Sequence, residues 1–99
     1  MNQDLPSHDW TATRLKPGAE LWRTERFSYR MQGREFAIEL FTSSEGSHYA
    51  IGTPADVDVL IVYGSQVVGS AQLALEQAIK KIDRDLLDLA ITEVGEDKT

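Results

Sequence analysis

Cysteine is absent from this 99-residue chain. That excludes a disulfide framework, a thiol nucleophile and any cysteine-based zinc site. Histidine is nearly absent too: His8 and His48 are the only two, and no HExxH pattern, EF-hand loop or histidine cluster occurs. No metal and no cofactor is therefore expected. Long apolar runs are missing, the longest being Val59 to Tyr63, far short of the ~20 residues that span a bilayer. The first residues, Met1 to Asp9, are polar and acidic and carry neither the positive start nor the apolar stretch of a secretory signal. A soluble, cytoplasmic protein with no membrane association is the resulting expectation. Base is in short supply as well, with ten Lys and Arg against sixteen Asp and Glu and a formal charge of -6.

What is present suffices for one domain. Hydrophobic residues make up 41% of the chain and charged residues 26%, too apolar and too weakly charged for a disordered polymer. A flexible tail over 1–9, a single domain over 10–91 and an acidic tail over 92–99 are expected. Trp10 to Leu15 reads as a short first strand, and Lys16-Pro17-Gly18 as a turn.

The strongest local signal surrounds Gln32-Gly33, which separates two β-like runs. If these two residues form a tight hairpin loop, partner numbers sum to 65. Tyr29 then faces Phe36 and Phe27 faces Ile38 on one side, while Arg30 faces Glu35 and Arg26 faces Glu39 on the other. A slip of one residue would destroy both patterns. The spacing predicts a hairpin of about 20–31 with 34–42. Its weak point is Glu25 opposite Leu40, where a bulge is expected if anywhere.

Ser43 to Ser47 reads as a loop, His48 to Gly52 as a short strand, and Thr53-Pro54-Ala55-Asp56 as a turn. Val57 to Tyr63, β-branched and apolar on both faces at its end, suits a well-covered inner strand. Ser70 is a good N-cap, and Ala71, Leu75, Ala78, Ile79, Ile82, Leu86 and Leu89 form one helical stripe ending near Ile91. The fold class expected is α+β, an antiparallel sheet of three to five strands with one long C-terminal helix on one face, the stripe packing on Phe27, Tyr29, Phe36 and Ile38.

Four constellations bear on function. Gly64 to Ser70 carries the G-x-x-x-x-G spacing of a phosphate-binding loop, but Ser70 stands where such a loop needs lysine, so the loop is read as leading into the helix. Six basic residues against two acids lie between Arg14 and Arg34. Arg23, Arg26, Arg30 and Arg34 are thus candidates for an anionic ligand or nucleic acid, although Glu35 and Glu39 face two of them. Asp56 and Asp58 read as turn and edge residues rather than metal ligands. His48 near Ser43, Ser44 and Ser47 lacks the third group that orients a catalytic base, and no G-x-S-x-G elbow occurs. No catalytic residue is assigned.

The fourth is apolar. Leu87 and Ile91, one turn apart, lie on the back of the helix, and Trp22 and Phe41 share the sheet face away from it. A sheet covered on one side has an open face, and aromatic clusters there mark partner contacts; the bland alternative is that Trp10 and the first strand, or the N-terminal tail, cover them. The expected role is non-enzymatic protein interaction, with homodimerisation as one form. The alternative is anion or nucleic-acid binding through the arginine hairpin.

Overall fold

Gln32 and Gly33 both adopt the left-handed backbone region, with φ of 53° and 75°, as a two-residue hairpin turn with native twist requires. The computed structural model describes the backbone of residues 9–97 and the side chains of residues 9–87. On either side of the turn, β1 (Trp22–Met31) and β2 (Arg34–Ser43) pair antiparallel in the expected register, with Phe27 opposite Ile38 and Tyr29 opposite Phe36. Glu25 pairs with Leu40 without a bulge. Its carboxylate is tolerated because it stays partly solvated and bonds Arg23 at 3.1 Å.

A loop closed by Ser43 leads to β3 (His48–Pro54), and β4 is only Tyr63–Gly64. The four strands form one antiparallel sheet in chain order. Helix α1 (Ala71–Asp97) covers one face. Ser70 caps it, its hydroxyl accepting from the Leu73 N–H at 3.2 Å. The helix runs past Ile91 to Asp97, into the segment read as a tail. The N-terminal tail expected over 1–9 lies almost wholly outside the described residues.

The core joins Phe36, Ile38, Leu40 and Ala50 of the sheet to Ala74, Ala78, Ile82 and Leu86 of the helix. The helical row is i, i+4 throughout, and its two alanines let the helix approach closely. Opposite it, β3 offers small residues: Ala50 is fully buried, and a Cβ on Gly52 would lie 3.1 Å from the Ile82 Cδ1. Ala50 and Gly52 thus form a groove between larger residues on β2 and β4, and the helix follows it. Two hydrogen bonds hold it from either flank, Tyr29 Oη to Asp83 and Tyr63 Oη to Asp85, each 2.6 Å. Lys81 Nζ adds a bond to the Gly64 carbonyl at 2.6 Å.

The structure corrects three expectations. Phe27 does not join the core and remains 41% exposed, because a helix centred on β3 leaves the helix side of β1 largely uncovered. Trp10 to Leu15 is not a strand: Trp10–Ala12 forms a 3₁₀ turn capped by Asp9. Val57 to Tyr63 is not an inner strand. Only Tyr63 pairs with β3, opposite Gly52, and residues 57–62 lie outside every strand and are exposed.

The cause of that last departure is local. Partner numbers in the β3–β4 ladder sum to 115, so a continued ladder would place its turn at Val57-Asp58. A β-branched residue is strained at the positive φ such a turn needs, and Pro54 would occupy a ladder position without an N–H. The chain is instead held at the start of β2. Ala55 N–H donates to the Glu35 carbonyl at 2.9 Å. The Asp56 carboxylate accepts from the Glu35 N–H at 3.0 Å and from Arg34 Nε at 2.8 Å. Both contacts draw the segment away from the free edge of β3.

Candidate functional site

The sheet face away from the helix gathers three aromatic rings from three strands. Phe41 stacks on Tyr49 with centroids 4.7 Å apart and planes at 12°, and Trp22 meets Tyr49 edge-on at 5.4 Å. Pairing in register places them there, since Phe41 lies directly opposite Tyr49 and Trp22 opposite Ser43 at the same end of the sheet. Each such ring pair contributes about 0.5–1.5 kcal/mol beyond burial. Trp22 remains 36% exposed, and Phe41 and Tyr49 are half-buried. Trp10 does not cover them; its ring takes the Arg23 guanidinium at 5.3 Å. Beside Trp22 lies a shallow cavity of about 220 Å³ lined by Glu20, Glu45 and the loop serines Ser43, Ser44 and Ser47. Trp22 Nε1 donates to Glu20 at 3.0 Å, fixing the indole at its rim.

The sequence alone does not join Tyr49 to Trp22 and Phe41. Its signal was available: it sits in a short strand with Ile51 on the same face, and only the β2–β3 register, which no turn motif announces, brings it under Phe41.

The helix candidate Leu87 is not brought to this face. Leu87 is exposed, next to buried Leu86. Ile91 belongs to α1, but its side chain lies outside the described residues.

The four arginines do not converge. Alternation along the strands puts Arg26 and Arg30 on the helix-free face and Arg23 and Arg34 on the helix side. Three are engaged: Arg23 with Glu25, Arg30 with Glu35 at 3.8 Å, and Arg34 with Asp56 at 2.8 Å. Among the described residues no ion pair joins Arg26 to its register partner Glu39. The Arg34–Asp56 pair is the strongest in geometry. The Arg34 guanidinium, helped by the Glu35 N–H, holds the Asp56 carboxyl below its ordinary range, and Asp56 in turn raises the pKa of Arg34.

In the loop between Gly64 and Ser70, three amides bond groups of the same chain. Ser65 N–H bonds the Ala50 carbonyl at 2.8 Å, Gln66 N–H bonds Gln77 Oε1 at 3.0 Å, and Val68 N–H bonds the His48 carbonyl at 2.8 Å. Such donors would cradle a phosphate if free; here they close the sheet and anchor the helix start. His48 shares a hydrogen bond with Thr42 Oγ1 at 3.0 Å, and Ser43 Oγ accepts from the Glu45 and Ser47 N–H groups, bracing the loop. The Tyr–Asp pairs are likewise structural. The hydrogen bond to Asp83 and partial burial push the Tyr29 hydroxyl up to about 12, and burial followed by the bond to Asp85 does the same for Tyr63. Neither phenol is activated as a base or nucleophile. No helix among the described residues is long and apolar enough to cross a membrane.

The apolar surface that sequence reasoning missed is Val57 to Val62, since a two-sided apolar run reads as an inner strand unless the turn before it is weighed against it. Comparison with protein-family models, with curated proteins and with solved structures finds no match to this chain.

Proposed function

We propose that this is a small acidic cytoplasmic protein that acts without catalysis, by binding another protein through the helix-free face of its sheet. One observation carries the reading. Trp22, Phe41 and Tyr49 form a contiguous aromatic patch on a face over which no element packs among the described residues. Aromatic anchors of this kind dominate the energetics of protein contacts. The polar, acidic rim at Glu20 and Glu45 beside it matches the usual division of an interface into apolar centre and wet edge.

The test is retention of a partner by the immobilised full chain. A partner held by the wild type should be lost with Trp22→Ser and with Tyr49→Ser, kept with Arg26→Ala, and little affected by moderate salt, because apolar contact is not screened. Retention indifferent to both aromatic substitutions would overturn the reading. Retention that instead falls steeply with salt and with Arg26→Ala would favour the arginine hairpin.

A further inference from the structure

Val57, Val59, Leu60, Ile61 and Val62 are all exposed, Leu60 to 97%. In a chain with so modest a core, five consecutive-range aliphatic side chains in water are the least economical feature of the fold. Together they expose several hundred Å² of apolar surface, comparable to the largest patch of a typical monomer at ~300–600 Å² and a large share of the ~800 Å² per partner in a standard interface. The segment belongs to no helix or strand and is rich in the β-branched residues that strands favour.

We propose that this segment holds the self-association strand of the protein: residues 58–62 of one copy pair antiparallel with the same residues of a second copy about a two-fold axis at Leu60. Three observations favour a second copy as the occupant. The segment is self-complementary, because pairing about Leu60 sets Leu60 against Leu60 and Val59 against Ile61, apolar against apolar in each case. A two-fold axis requires such a patch on both sides of the contact.

Charge points the same way. Each chain carries -6, so two copies repel unless they meet where charge is sparse. Asp58 is the only ionised side chain in the segment. The pairing sets it opposite Val62 and keeps the two Asp58 carboxylates four residues, roughly 13 Å, out of line. The opposite edge of the sheet is built to refuse a partner. Strand β1 carries Arg23, Glu25, Arg26 and Arg30 along its length, the charged edge by which sheets block further strands.

The inference is independent of the aromatic face, and its test separates the two. The full chain at rising concentration should approach twice 11.1 kDa by sedimentation. Leu60→Asp should return it to the single-chain mass, weakening association by at least about tenfold, because a carboxylate would be buried against its own copy. Far-ultraviolet circular dichroism should be unchanged, since residue 60 touches no core. Trp22→Ser should leave the double mass intact.

The absence of cysteine supplies a second reading of geometry. Leu60→Cys introduces one thiol opposite itself, with Cα atoms ~4.5–5.5 Å apart, within disulfide reach; Asp58→Cys introduces one out of line. Mild oxidation should cross-link the first far faster than the second. A wild type that keeps the single-chain mass at every concentration, a Leu60→Asp variant that keeps the double mass, or equal cross-linking at 58 and 60 would each overturn the proposal. Loss of the double mass with Trp22→Ser alone would also overturn it and move self-association to the aromatic face.

Discussion

Phe36–Leu40 and Val57–Val62 are similar stretches, aliphatic or aromatic with one acidic residue each, yet the first lies at the centre of the sheet and the second outside it. The difference is made by what flanks them. Strand β2 is preceded by Gln32-Gly33, whose positive φ values form the turn that a hairpin needs, and its apolar residues alternate, so one register satisfies both faces. The later segment is preceded by Pro54 and by Asp56, and the Asp56 carboxylate is held by Arg34 and the Glu35 N–H. Apolar composition supplies the drive to pair; the turn decides with what.

Substitutions on either side of the comparison should separate it most widely. Phe36→Ala removes a ring that is 1% exposed and should cost about 3–5 kcal/mol in urea unfolding. Leu60→Ala, measured where the chain is a single copy, should stay within about 0.5 kcal/mol of wild type. A large cost at Leu60 under those conditions would place it in the core. Gly33→Ala tests the turn itself. With φ at 75° and open space around its Cα, the penalty is backbone strain alone, about 1–2 kcal/mol, and it should appear in the stability of the whole sheet.

Titration sharpens the account of how helix and loop are held. Tyr29 and Tyr63 have raised pKa values, so their contribution is complete below the unfolded value near ~10. It is lost as pH rises toward about 12. Alkaline unfolding should begin in that window, and Tyr29→Phe should blunt it; an unchanged alkaline limb would mean that Asp83 does not hold the helix through Tyr29. Asp56 is the opposite case, with a lowered pKa. Its contribution is present above the unfolded value near ~4 and lost as pH falls below it. Asp56→Ala should flatten the acid limb slightly, the smallest of these effects because both partners are partly solvated.

Much of the fold was legible in the sequence where local chemistry and alternation agreed. The β1–β2 register followed from Gln32-Gly33 and two matching faces, and the helix from Ser70 and its stripe. The seat of the helix was not legible. It depends on Ala50 and Gly52, small residues that carry no periodic signal of their own, and their groove draws the helix to β3 and leaves Phe27 outside. The candidate face was read in part. Trp22 and Phe41 share a face by β1–β2 register alone, whereas Tyr49 needed the next register. Val57–Val62 was misread because two-sided apolarity is what an inner strand and a strand awaiting a partner have in common.

Amide hydrogen exchange on the full chain, diluted until it sediments as a single copy, tests the division between these two stretches most directly. Slow exchange is expected at Ile38 and Leu40, within the paired β2, and exchange at open-chain rates from Val59 to Val62. Comparable protection of both stretches in the single copy would contradict it, because the second would then be a strand of the sheet after all.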